Sequence, residues 1–393
     1  MIIKTFNRGG ARRGLPLYMQ LEKTIRAAIV SGKIKPDDPL PSEESLCRTY
    51  KVSSITVERA LRDLAADGLL IRIKGKGTFV RPKRNSSKAA LAPPLKKNKT
   101  VAMIVPDIED ALIHEVYKGI ESVASRNGYL IIVQSSCRDV VKETKNIELL
   151  REGMVDGALI FPNWSRFNAA QILSLKNDKF PFVLIDRFFR DIETDTVTVD
   201  NVRGAYEGIK HLLDLGHRRI AGIMGVECTA VEDRLEGYLK ALQEAGIPYD
   251  PALVKKIKPV EANGSIHFEP DERGGYAEAV ALIKQTPRPT AIFAANDNLA
   301  RNCLIVLKDR KIRVPQDIAV LGFDDRNFAA QLDPPLTTVR QPIFEMGAKS
   351  MEILLRRIRE KSAGKTTPCI HFLLKTKLII RESTAELIKR RKE

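Results

Sequence analysis

From residue 100 onward, seven apolar runs of strand length punctuate the chain: VAMIVP, YLIIVQS, GALIFP, FVLID, RIAGIMG, AIFAAN and IAVLGF. Between them, apolar positions recur every third or fourth residue over 114–126, 202–215, 232–245, 274–285, 297–311 and 343–360. That is the period of a helix with one buried face. Continuous apolar strands joined by helical crossovers predict parallel sheets covered on both faces. The region spans about 285 residues, more than one such sheet needs, so the pattern predicts two similar α/β lobes with a cleft between them. Ligands of open α/β sheets lie beyond the carboxyl ends of the strands.

The first 80 residues read differently. LPSEESLCRTYKVSSITVERALRDLAADGLL, residues 40–70, holds two short helices. Ser42 is a good N-cap for the first, with Glu43 and Glu44 in the favourable first turn. Ser53 caps the second. There Val57, Ala60, Leu61 and Leu64 form the buried face, so Ile55, Arg59 and Arg62 point away, flanked by Thr56, Glu58 and Asp63. RIKGKGTFVRP follows at once and predicts a hairpin with Lys74, Gly75, Lys76 and Gly77 at its tip. Residues 81–99, RPKRNSSKAALAPPLKKNK, are rich in Pro, Ser and Lys and have little to bury, which is linker composition. Three parts are therefore expected: a small helical unit with a hairpin over residues 1–80, a basic flexible linker over 81–99, and a two-lobed unit over 100–384.

Charge sharpens this division. The 393 residues carry a net charge of +16, but residues 1–99 hold 22 Lys and Arg against 8 Asp and Glu. The remaining residues hold 43 against 41. A localised basic excess is the electrostatic footprint of a polyanion binder. Solvated helix charge is the plain alternative for Arg59 or Arg62 alone, and a solubilising turn for the lysines. The helix pair running directly into the lysine-tipped hairpin favours DNA: such a helix fits a major groove with its first turn facing base edges. Five scattered cysteines and five scattered histidines suit a reducing cytoplasm and predict neither a metal site nor a disulfide framework. No run of about 18 apolar residues occurs and the N-terminus lacks signal-peptide character, so a cytoplasmic location is expected.

The stretch LPSEESL…YKVSSITVERALRDLAADGLL…KGKGTFV resembles the winged helix-turn-helix of GntR-type bacterial regulators. The resemblance implies that the hairpin is the wing. Gly75 and Gly77 would let the backbone approach DNA, and Lys74 and Lys76 would meet phosphates or the minor groove. The family usually carries arginine where this chain has Glu44, Ser54 and Glu58. Base reading must then lean on the Ser54 hydroxyl, Ile55 against a thymine methyl, Thr56, Glu58 accepting from cytosine, and Arg59. Residues 100–384 resemble the effector domain of LacI/GalR-type regulators, a periplasmic-binding-protein-like fold. A GntR-type head on such a domain resembles the arabinose-responsive repressor group, and implies a homodimer on a two-fold symmetric DNA operator.

Polar residues gather just after the expected strands, where a cleft ligand would lie: Asp107, Asp110, Asn163, Trp164, Asp186, Arg187, Asn296, Asp297 and Asp324. Arg234 opens a helix after MGVECTAVED. Carboxylates, an arginine fork, an amide and an aromatic suit a polyhydroxylated ligand, whose hydroxyls both donate and accept. By resemblance, Arg234, Asn296 and Asp324 hold the effector's hydroxyls. Plainer roles exist: Asp297 as cap of the next helix, Asp186 as a strand-end anchor, Asp325 facing solvent, Trp164 as a packing residue. Where the family has an aromatic pair after the first strand, this chain has Leu112 and Ile113, so stacking on a sugar must come from elsewhere. The function expected is a ligand-controlled DNA-binding regulator, a repressor answering to a sugar and using no cofactor. The alternative is an enzyme on an α/β fold acting on a sugar or nucleoside. Against it, the sequence lacks Walker A, nucleophile-elbow, metal-ligand and dinucleotide signatures. A transport binding protein is the third reading, disfavoured by the basic N-terminal part.

Overall fold

Leu21, Ile25 and Ala28 recur along one side of the first helix, α1 (Leu17–Val30), and all three are buried. They meet the apolar faces of α2 (Glu43–Tyr50) and α3 (Ser54–Ala66). The four α3 positions expected inside, Val57, Ala60, Leu61 and Leu64, are buried with Leu46 and Tyr50 of α2. The hairpin β1 (Leu70–Ile73) and β2 (Gly77–Val80) closes this core through Leu70 and Val80, which pair with each other across the antiparallel ladder. The segment before α2 runs along β2, with Leu40 N to Thr78 O at 2.8 Å and Val80 N to Asp38 O at 3.0 Å. The wing is thereby tied to the start of the helix pair.

The structure, a computed structural model, describes residues 17–36, 38–66, 69–73, 77–80, 99–163, 168–257, 260–262, 265–267 and 274–384. Lys74, Gly75, Lys76, Trp164 and the linker up to residue 98 lie outside these residues. The chain divides into two units, residues 1–95 and 96–393.

In the second unit the chain runs β3 (Thr100–Val105), α4 (Ala111–Arg126), β4 (Leu130–Ser135), α5 (Val140–Leu149), β5 (Gly157–Ile160), α6 (Ala169–Asn177), β6 (Phe182–Ile185) and β7 (Thr196–Val199). It continues through α7 (Asn201–Asp214), β8 (Ile220–Met224), α8 (Thr229–Glu244), β9 (Val254–Lys256), a small hairpin of β10 (Val260–Ala262) and β11 (Ser265–His267), α9 (Tyr276–Ile283), β12 (Ala291–Ala294), α10 (Asp297–Asp309), β13 (Ala319–Asp324) and β14 (Thr337–Arg340). It ends in α11 (Ile343–Ser362), β15 (His371–Leu374) and β16 (Lys377–Ile379).

Two six-stranded sheets result, ordered β15-β7-β6-β5-β3-β4 and β16-β14-β13-β12-β8-β9. The first is parallel throughout; the second is parallel except for β16. Each is the centre of an apolar core covered by helices, as the continuous apolar runs predict. The chain passes between the lobes at three places: Val199 to Asn201, Arg340 to Ile343, and Leu374 to Lys377. Short parallel crossings of this kind form a hinge along one side of a cleft.

In the first lobe α11 lies so close to α4 that each needs a glycine at the crossing. A Cβ on Gly119 would sit 2.0 Å from Phe344 O, and one on Gly347 would sit 2.0 Å from Val116 O. Several elements are absent from the sequence reading. The inner face of α5 carries Glu143 and Asn146 beside Ile147, which erases its apolar period. β15 and β16 are short strands without a buried position, β15 alternating between exposed and half-buried residues. The α8 helix begins at Thr229, so Arg234 lies in its second turn and does not open it.

Candidate DNA-reading face and effector cleft

The α2 and α3 caps form as the sequence expects. Ser42 Oγ accepts from Ser45 N at 3.2 Å, and Ser53 Oγ accepts from Thr56 N at 3.3 Å while meeting the Thr56 hydroxyl at 2.9 Å. Ser53 and Thr56 are therefore occupied with each other at the start of α3. Ser54, Ile55, Glu58, Arg59 and Arg62 are exposed, and Ile55 is 76% exposed. An isoleucine so placed contributes nothing to the core. Glu44 pairs with Arg48, and Glu43 with Arg72 at the base of the wing. Two acids that stand near the expected DNA side are thus neutralised internally. The Arg59 guanidinium lies over the Tyr18 ring, 3.9 Å from its centroid. Gly77, the described residue of the wing tip, has φ 112°, a conformation open to glycine and costly for other residues.

Between the two lobes lies a cavity of about 480 Å³, within the range of small-molecule sites. Asp107, Asp110, Asn163, Arg187, Arg234, Asn296 and Asp324 all line it, as does Asp186. The second lobe supplies Arg234, fully ordered by its neighbours. Its Nε donates to Asn201 Oδ1 at 2.8 Å, its Nη1 donates to Ala295 O and approaches Asp324 Oδ1 at 3.4 Å, and its plane rests 3.8 Å from the Phe323 ring centroid. Asp324 closes β13 with φ 119°. It also accepts from Gln341 Nε2 at 2.6 Å and Arg326 Nε at 3.3 Å.

Asn296 caps α10, its Oδ1 accepting from Leu299 N at 2.9 Å. The capping role expected of Asp297 therefore belongs to its neighbour. Asp297 is fully buried and accepts from Arg326 N at 2.8 Å and Thr338 Oγ1 at 2.6 Å. Burial, followed by the nearby Asp324 carboxylate, pushes its pKa up to about 7. Asp325 does not face solvent: it pairs with Arg340 and Arg381.

The first lobe supplies Asp186 just after β6, in a left-handed conformation at φ 65°. Two strand-ending aspartates in sparsely populated backbone regions, one per lobe, mark the cleft as a site where the surrounding structure holds strain of about 1–3 kcal/mol each. Burial raises the Asp186 pKa against the pull of Arg187, whose Nε lies 3.4 Å away. Arg187 Nη1 donates to Pro162 O at 3.3 Å and to Asn163 O. Asn163 is held from below: its N donates to the buried Glu143 carboxylate at 3.1 Å, and its Nδ2 donates to Ser136 Oγ at 2.9 Å. Burial pushes Glu143 up to about 7.

Across the cleft, Arg326 of the second lobe reaches Asp110 of the first with two contacts, 2.7 Å and 3.3 Å. Asp110 is at once the cap of α4, accepting from Leu112 N at 2.9 Å. Asp107 lies 3.4 Å from Arg138 Nε. Among the cleft residues that escaped the sequence reading are Arg138, Arg326, Gln341 and Phe161. Arg326 and Gln341 follow strand ends directly, as GFDDR and VRQP, and that position was the available signal. Arg138 and Phe161 have no such mark. Leu112 and Ile113 do face the cavity, and Phe161 is the aromatic side chain on its wall among the described residues.

Two family descriptions match the chain: bacterial regulatory proteins of the gntR family over residues 17–80, and the periplasmic binding protein-like domain over residues 209–384. The arabinose metabolism transcriptional repressor of Geobacillus stearothermophilus is 32% identical over 95% of this chain and 99% of its own length. The ribose operon repressor of Haemophilus influenzae is 30% identical over 88% of this chain and 98% of its own. A solved LacI family regulator of Enterococcus faecium with bound ribose superposes with a TM-score of 0.61 and 29% identity, covering 74% of this chain and 100% of that one. With an exposed face on the second helix of the helix pair in one unit and a two-lobed cleft in the other, the chain belongs to the bacterial DNA-binding transcriptional repressors that join a GntR-family head to a LacI-like, periplasmic-binding-protein-type domain.

Proposed function

We propose that the cleft binds a small, uncharged, polyhydroxylated effector, a sugar, and that this binding controls the hold of a homodimer on a two-fold operator. Residues 1–80 are the DNA-binding head, 81–99 the linker and 100–384 the effector-binding and dimerisation domain. One observation carries the ligand class. Asn163 Oδ1 and Gln341 Oε1 are buried acceptor atoms without a hydrogen-bond partner, and both residues line the same cavity. A buried acceptor left unpaired costs about 1–3 kcal/mol, and ligand hydroxyls recover that cost. The same hydroxyls can accept from the arginines.

Charge supports a neutral ligand. The lining acids are Asp107, Asp110, Asp186, Glu278 and Asp324; the lining bases are Arg138, Arg187, Arg234, Lys256 and Arg326. Five face five, so the wall has no net charge for an ionic effector to answer. Leu112, Ile113, Phe161, Val226, Val231 and Ile257 offer apolar surface to the C–H faces of a sugar ring. The bound ribose of the Enterococcus faecium regulator and the names of the two repressor relatives point the same way.

The experiment is a thermal-shift screen of neutral pentoses, hexoses and disaccharides, followed by titration calorimetry. At least one neutral sugar should raise the melting temperature, since a ligand of the folded state stabilises it. Gln341→Leu should weaken that sugar by about five- to fiftyfold, in line with the cost of one lost buried hydrogen bond. Stabilisation by ionic ligands alone would refute the assignment. Recovery of the bound sugar unchanged after long incubation separates this regulator from an enzyme on the same fold.

A further inference from the structure

The reading helix α3 has few described cations to spend on DNA, and one of them is held in a particular way. Arg59 lies one turn beyond Ile55 on the exposed side of α3. Its guanidinium stacks on Tyr18, the second residue of α1, at 3.9 Å from the ring centroid. Tyr18 itself is half-buried against the apolar core of the head. Three other arginines of this unit are consumed by carboxylates: Arg26 by Glu22, Arg48 by Glu44 and Arg72 by Glu43. Arg59 has an aromatic face in place of a carboxylate.

That difference matters chemically. Stacking occupies the flat face of a guanidinium and leaves its N–H edge outward. It also fixes a long side chain before any partner arrives, so less freedom is lost on binding. An ion-paired arginine would first have to break its pair. The outward edge is a fork of donors, matched by two neighbouring acceptors such as guanine O6 and N7 or two phosphate oxygens.

We propose that Tyr18 is a positioning residue for DNA recognition: its ring holds the Arg59 guanidinium as a platform, so that the donor edge meets a pair of acceptors on DNA already ordered. The inference rests on the reading of residues 1–80 as the DNA-binding head. Since Arg59 shares its face of α3 with Ile55, the acceptors are assigned to a guanine edge. A single pre-ordered arginine would give a helix bearing Ser54 and Glu58 one bidentate contact.

The test uses the full chain. Duplexes are selected from a random library by the wild-type protein, and a shuffled duplex serves as control. Affinities are measured for wild type, Tyr18→Phe, Tyr18→Leu, Arg59→Ala, Arg59→Lys and the Tyr18→Leu/Arg59→Ala double variant. Tyr18→Phe keeps the platform and should bind within about twofold of wild type. Tyr18→Leu should lose about three- to tenfold, the scale of an exposed cation–π contact with its ordering. In the Arg59→Ala background the same change should cost nothing further. Arg59→Lys keeps the charge but not the fork, and should bind the selected duplex nearly as weakly as Arg59→Ala.

A loss larger on the selected than on the shuffled duplex supports the base edge; an equal loss places the acceptors on phosphate and overturns the guanine assignment. An additive Tyr18 effect in the double variant would overturn the proposal. Should Tyr18→Leu prove unfolded, Arg59→Lys decides alone, and wild-type affinity in that variant overturns it. A wild-type chain that selects no duplex removes the DNA-binding reading itself, an outcome visible before any variant is compared.

Discussion

Arg234 illustrates how a cleft residue serves fold and ligand together. It joins α8 to Asn201, to the Ala295 carbonyl and to Asp324. Arg234→Ala would leave the Asn201 and Ala295 oxygens without their donor, while Asp324 keeps Gln341 and Arg326; it should cost about 1–3 kcal/mol of stability as well as effector affinity, read by denaturant unfolding and calorimetry. Titratable groups divide into two sets. Burial raises Glu143 and Asp297 to about 7. A raised acid binds its proton more tightly in the folded state, so its contribution is full below the unfolded value and lost as pH rises through about 7. Glu360 and Asp110 behave oppositely. Burial pushes both up, but their arginine partners outweigh it and hold Asp110 low and Glu360 at about 2. Their contribution is present above the unfolded carboxylate range and lost on acidification. The melting temperature should therefore fall from pH 5.5 to pH 8, and Glu143→Gln should flatten that fall. A slope unchanged in Glu143→Gln would contradict the assignment.

Packing between elements is most demanding where α4 crosses α11. Gly119→Ala would place a methyl 2.0 Å from the Phe344 carbonyl oxygen, backbone that cannot swing aside. The expected loss is about 1–3 kcal/mol from forced separation of the helices, measurable as a lowered urea midpoint. At this scale the sequence was most legible where one period dominated. The Val57, Ala60, Leu61, Leu64 face and the seven strand runs all reappear as expected elements. It was least legible where polar residues are buried. Glu143 and Asn146 hid α5, and Asp297 looked like a cap although it is the fully buried anchor of Arg326 and Thr338. Gln341 shows the reason. What makes it a candidate effector contact is an unmet hydrogen bond in three dimensions, a property that neighbours distant in sequence create.

Across the whole molecule, the chain divides into two units at residues 95 and 96, and the proposed head and effector domain fall on either side of the proposed linker, whose sequence holds Pro82, Pro93 and Pro94. The proposed symmetric dimer would carry the signal as head spacing, since closing a cleft would rotate lobes that form such an interface. A ten-residue Gly-Ser insertion after Ser87 should leave sugar affinity intact and blunt the sugar's effect on DNA. An unaltered effect would rule out spacing as the carrier. The central claim is that occupancy of the cleft changes the grip of the head, and operator affinity of the full chain with and without a saturating sugar measures it directly. In wild type the two affinities should differ by about five- to 150-fold, the usual span of an allosteric coupling. Gln341→Leu should need proportionately more sugar to reach the same shift. Equal operator affinity in the presence and absence of a sugar that calorimetry shows to be bound would contradict the account.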